Sequence, residues 1–90
     1  MSEKCISSGI LSASERIVEE ECWIVGAVLT SGNIDAKAIF YDSGNEDLAD
    51  KLEVGFVSNA VPAFNKIVHC LDGIYAELLD GAEVMVFYTK

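Results

Sequence analysis

Ninety residues make one domain, which on folding alone buries only roughly 60–65% of the surface its unfolded chain exposes. Fifteen Asp and Glu stand against six Lys and Arg, a net charge of −9, and the six cations (Lys4, Arg16, Lys37, Lys51, Lys66 and Lys90) are scattered. That balance excludes direct contact with nucleic acid phosphates, which needs a basic patch, and disfavours an anionic membrane surface. Half of the residues are apolar, more than a single small core needs. The surplus favours a core plus an interface between copies.

Residues 1–15 are rich in Ser, with Ile6, Ile10 and Leu11 between, and read as an N-terminal arm or an irregular first strand. Ser12-Ala13-Ser14-Glu15 has the spacing of a helix capping box. The β-branched Ile17-Val18 that follows carries no amphipathic stripe, so a short strand is favoured over a helix. It ends in Glu19-Glu20-Glu21, a solvated acidic run.

Residues 22–30 form a strand with apolar side chains on both faces, as expected of a central position: Trp23, Val25, Ala27 and Leu29 alternate with Ile24, Gly26 and Val28. Ser31-Gly32-Asn33 breaks it, and residues 34–41 return as its expected partner. Asp42-Ser43-Gly44-Asn45 is a turn by composition, and residues 46–51 are ambiguous. From Leu52 the alternation predicts a half-buried strand, with Leu52, Val54 and Phe56 inward against Lys51, Glu53 and Gly55. Pro62 marks a connection, because proline suits no central strand. Residues 64–70 make another strand, with Phe64, Val68 and Cys70 on one face.

After Asp72-Gly73 comes the strongest turn signal in the chain, Asp80-Gly81. It separates Ile74-Tyr75-Ala76-Glu77-Leu78-Leu79 from Ala82-Glu83-Val84-Met85-Val86-Phe87-Tyr88, and predicts a terminal hairpin. A two-residue loop would group Ile74, Ala76, Met85 and Phe87 on one face. A three-residue loop with a bulge would group Ile74, Ala76, Leu78, Val84, Val86 and Tyr88, opposite Tyr75, Leu79, Met85 and Phe87. Six to eight short strands at spacings of about ten residues point to an all-β fold, an antiparallel β-sandwich or small jelly-roll-like domain over residues 16–90.

Chemistry is thinly represented. His69 is the only histidine, so any His-dependent catalytic set has a single possible base, and no nucleophile elbow lies near it. His69 and Cys70 are strand neighbours pointing to opposite faces and cannot chelate one ion together. Asp42, Asn45, Glu46 and Asp47 invite a calcium reading, but the spacing of a calcium-binding helix–loop–helix is missing and a solvated turn is favoured. Cys5, Cys22 and Cys70 lack Cys-x-x-Cys spacing and leave one thiol over in any intramolecular pairing; reduced thiols acting as small hydrophobes in a cytoplasm are expected. The N-terminus has no apolar signal region, and the longest apolar run, residues 23–29, falls far short of the roughly 20 residues that span a bilayer. No cofactor, metal or catalytic residue is expected, and the reading is of a soluble protein that is not an enzyme.

Two segments carry a resemblance. Ile24-Val25-Gly26-Ala27-Val28-Leu29-Thr30-Ser31-Gly32 leads to an apolar strand ending in Tyr-Asp, Ala38-Ile39-Phe40-Tyr41-Asp42-Ser43. After a variable segment come Gly73-Ile74-Tyr75-Ala76-Glu77-Leu78 and a terminal strand closing on Phe87-Tyr88. Over about two-thirds of its length this order resembles small virion proteins of tailed bacteriophages. The resemblance implies a β-sandwich structural component of the head, the head–tail connection or a fibre. It further implies assembly in the host cytoplasm and action as a homo-oligomer, a trimer among the options, on other virion proteins. The acidity and the Ser-rich arm depart from that pattern. Tyr75, Leu79, Met85 and Phe87 are the expected subunit contacts. Two other readings stand beside it: a module binding glycans on a host surface through exposed aromatics, and a small acidic inhibitor that mimics nucleic acid.

Overall fold

In the computed structural model, residues 5–43 and 52–90 are described. They form nine strand segments: β1 (Ile6–Leu11), β2 (Glu15–Val18), β3 (Cys22–Ser31), β4 (Lys37–Asp42), β5 (Leu52–Ser58), β6 (Ala63–Phe64), β7 (Val68–Cys70), β8 (Ile74–Leu79) and β9 (Glu83–Thr89). The larger sheet runs β1-β9-β3-β6, with β7 continuing the β6 edge along β3; the smaller runs β2-β8-β4-β5. Every pairing is antiparallel. The chain is thus an all-β antiparallel sandwich. The two edge segments β6 and β7 share one strand position, because residues 65–67 leave the ladder.

The terminal hairpin does not form. Its turn does: Asp80 and Gly81 both take positive φ (55° and 75°), and the Ala82 amide donates to the Leu79 carbonyl at 3.2 Å. Two successive left-handed residues suit the Asp-Gly pair. The flanking strands then part, β8 lying between β2 and β4 and β9 between β1 and β3. The expected partnership of residues 22–30 with 34–41 fails for the same reason, since β3 and β4 belong to different sheets. Ile34, expected in that strand, is 87% exposed in a turn before β4. Strands with one strongly apolar face gain more by stacking those faces across a core than by lying side by side with both faces wet.

That core holds Ile24, Phe40, Val57, Ile74, Ala76, Val84 and Val86, all fully buried. Each larger side chain contributes roughly 1.5–3 kcal/mol on burial. A bulge adjusts the smaller sheet: Phe40 pairs with Gly55 and Tyr41 with Glu53, leaving Val54 outside the register. One extra residue flips the faces of the β5 residues that follow it. Beyond the bulge Val57 therefore fills the core while Phe56, expected inside, stays 38% exposed. Before it Val54 packs against the core as expected, and Leu52, also expected inside but opposite Asp42 at the start of the strand, is 65% exposed. Gly55 faces Phe40 in register and lies under the Phe64 ring, where a Cβ would collide with that ring.

The N-terminal segment joins the same frame. β1 pairs with β9 from Ile6↔Tyr88 to Leu11↔Val84, with a register shift between Ser7 and Ile10 where Gly9 takes positive φ (72°). Ser8 Oγ, released by that bulge, accepts the Val86 amide at 2.9 Å. Ser14 caps no helix; its Oγ accepts the Leu78 amide at 2.8 Å and pins the start of β2 to β8.

Two positions test this account. Gly73 has φ 133°, and a Cβ there would run into the Val18 carbonyl oxygen. Gly73→Ala is expected to lower unfolding stability by about 2 kcal/mol or more, read from the midpoint of a urea titration. Thr89 is 4% exposed, and its Oγ1 is buried without a hydrogen-bond partner. Thr89→Val removes that desolvated hydroxyl and is expected to leave the midpoint unchanged or raise it.

Candidate functional site

The four expected contact residues do not share one surface. Alternation along β8 turns Ile74 and Ala76 into the core, and Tyr75 and Leu79 outward from the smaller sheet. Along β9 it turns Val84 and Val86 inward, and Met85 and Phe87 outward from the larger sheet. Crossing between sheets at Asp80-Gly81 thus places the two pairs on opposite outer faces. The grouping expected from a three-residue loop describes the inward and outward sets correctly, but one face of a hairpin has become two faces of a sandwich.

These outer faces differ in chemistry. On the smaller sheet, Tyr75 sits in register between Arg16 and Tyr41, and the Tyr41 hydroxyl donates to Glu77 Oε1 at 3.1 Å. Lys37 Nζ lies 4.8 Å from the centroid of the Phe56 ring, and Arg16 pairs with Glu19 at 2.7 Å. Charges are woven between the apolar groups, and exposed pairs of this kind contribute little to stability.

The larger sheet presents a different surface. Register sets Ser7 beside Phe87 and Ile10 beside Met85, then Phe87 beside Gly26 and Met85 beside Val28, with Ala63 next to Val28. Among the described residues of these three strands and the β6 edge, no Asp, Glu, Lys or Arg interrupts the face between Glu83 at one end and Glu21 and Lys90 at the other. Ile10 is 62% exposed, while Met85, Phe87 and Val28 are half-buried. A groove of about 410 Å³ borders the patch where Cys5, Val25, Ala63 and Phe87 meet. Toward the far end the Trp23 and His69 rings stack at 4.5 Å between centroids and 8° between planes, and His69 Nε2 lies 2.7 Å from Glu21 Oε2. Ile10 and Val28 escaped the sequence reading because only the β1–β9–β3 order sets them beside Met85.

The remaining candidates have structural partners. Both Asp42 carboxylate oxygens accept backbone amides at 2.9 Å, from Leu71 and Asp72, which ties the end of β4 to the turn before β8. Asn45, Glu46 and Asp47, the rest of the calcium candidate, lie outside the described residues. A second groove, of about 520 Å³, opens between the β5 and β6 edges and is lined by Glu53, Phe56, Val61, Phe64 and Lys66 among others. Among the described residues no three His, Cys, Asp or Glu side chains gather closely enough to hold a metal ion.

Three thiols sit in two environments. Cys5 is exposed. Cys22 and Cys70 are fully buried and directly opposite each other on β3 and β7. Burial pushes the Cys22 thiol up to about 11 and the Cys70 thiol to about 12, with the negative charge of Asp42 adding to both.

No protein-family model, no curated protein and no solved structure matches this chain.

At pH 8 a disulfide reagent such as Ellman's is expected to titrate Cys5 rapidly, and Cys22 and Cys70 only as fast as the edge opens. Above pH 9, the ordinary thiol value, an unfolded chain releases two protons that the fold retains. The stability these two thiols contribute is therefore fully present below pH 9 and is lost as pH rises through the window up to about 12, where the folded thiols also ionise. Replacing both cysteines with Val should flatten that decline in urea titrations taken at successive pH values.

Proposed function

We propose that this chain is a structural protein of a tailed-bacteriophage virion, without catalytic activity, that works by self-association and by docking on a capsid or tail surface. The observation that carries the self-association is the charge-free outer face of the larger sheet, with Ile10, Val28, Met85 and Phe87 at its centre. Copies that each carry −9 repel one another over most of their surfaces. A face without charge is where two such copies meet at least electrostatic cost, and its apolar side chains supply the attraction. Virion membership rests on the resemblance of the strand order and its motifs.

The glycan-binding alternative has less support. Its aromatics are divided between opposite faces, and one side of Trp23 is covered by His69. A saccharide response on an array, abolished by Trp23→Ala, would favour it over the structural reading.

Sedimentation of the purified chain at roughly 100 μM, where an association of about −5 kcal/mol is visible, tests the proposal. The expected species is larger than the 9.7 kDa monomer. It should grow with added salt as the like charges are screened. Met85→Lys should return it to monomer with an unchanged circular dichroism spectrum. A monomer at every salt concentration that also ignores assembled particles overturns the reading. Tight binding to a basic protein that weakens steeply with salt would instead identify the acidic mimic.

A further inference from the structure

Cys22 and Cys70 come from distant parts of the chain and arrive as a directly opposed pair in the β3–β7 ladder, followed by Trp23↔His69 and Ile24↔Val68. Opposed residues of antiparallel strands have Cα atoms roughly 4.5–5.5 Å apart, within the range that a disulfide spans. Both side chains point to the same side of the sheet, into the core, and neither is exposed. The Cys70 Sγ is 3.9 Å from the Val68 carbonyl oxygen of its own strand, a weak contact. β7 is a three-residue edge segment between Ile67 and Leu71, both 64% exposed. Its other anchors are the Trp23–His69 stack, the Glu21–His69 contact and the grip of Asp42 on the next two amides.

We propose that Cys22 and Cys70 form a latent cross-strand disulfide site, which on oxidation staples the β7 edge to β3. The oxidant would be a low-molecular-weight disulfide such as oxidised glutathione. One protein thiolate attacks a sulfur of the reagent, breaking its S–S bond, forming a mixed disulfide and releasing one reduced thiol. The second protein thiolate attacks the protein sulfur of the mixed disulfide, forming the Cys22–Cys70 bond and releasing the second reduced thiol. The two cysteine protons leave to solvent or to the released thiols, and two electrons pass from the protein to the reagent. Burial and the raised thiol values make the reaction slow in the closed fold, so opening of β7 gates it. Once made, the bond closes a loop of about 50 residues and disfavours the unfolded chain. Such a staple suits a chain that folds reduced and later meets an oxidising medium.

The test uses the full chain with Cys5→Ser, which removes the exposed competitor. It is equilibrated from both the reduced and the oxidised side in glutathione buffers, with and without denaturing urea, then quenched in acid, alkylated and weighed. The expected product is a monomer lighter by two hydrogens, yielding a linked peptide pair that contains Cys22 and Cys70. Its effective concentration should be at least about tenfold higher under native conditions than in urea, the same factor by which the bond stabilises the fold. Thermal unfolding should shift upward by about 5 °C or more on oxidation and return on reduction. If Cys5→Ser proves insoluble, peptide mapping of the unsubstituted chain gives the same readout. An effective concentration no higher in the native state than in urea overturns the proposal. So does accumulation of mixed glutathione disulfides or of intermolecular dimers in place of the internal bond.

Discussion

The fold depends on the burial of one face of β8 and one face of β9 in a single core. Ile74 and Ala76 from the first, and Val84 and Val86 from the second, are all inaccessible to solvent. Two strands joined by a tight turn can share one face when bonded side by side, but they cannot press their apolar faces against each other. They separate instead, one into the middle of each sheet, and the sandwich is assembled around them. β4 and β2 must then flank β8, and β3 and β1 must flank β9. Hydrogen bonding is satisfied by strands remote in sequence, as in Ile6↔Tyr88 and Glu15↔Ala76.

Crossing between sheets has a consequence for the surface. Apolar side chains that alternation turns away from the core appear on two opposite faces, in different company. On the smaller sheet they are interleaved with Arg16, Lys37, Glu53 and Glu77. On the larger sheet the chain supplies Ser7, Ile10, Gly26, Val28, Met85 and Phe87, and the charges fall at its ends. For a polypeptide of net charge −9 this asymmetry separates a face built for water from a face able to meet another apolar surface.

The β7 edge shows how few contacts hold a short strand and how far apart they originate. Asp42 reaches from the end of β4 to two amides after β7, and His69 stacks on a ring of β3. Cys70 meets Cys22 in the core. None of these partners is near its counterpart in sequence. Together they fasten a segment that contributes only three residues to the ladder.

Strand class and the positive-φ pair at Asp80-Gly81 were determined by the sequence, because each depends on the side chain and its nearest neighbours. Alternation also sorted the residues of β8 and β9 correctly into inward and outward sets. It failed in the second half of β5, where the bulge after Glu53 reversed the faces, turned Val57 inward and left Phe56 outside. A bulge is settled by the partner strand and by the Phe64 ring over Gly55, neither of which is local. Only the tertiary structure decided that β8 and β9 part company, that Met85 and Phe87 join Ile10 and Val28 rather than Tyr75 and Leu79, and that Cys22 faces Cys70. The physical reason is common to all three. A strand's own sequence dictates which side chains share a face, but the strand lying beside it is chosen by the free energy of the whole core.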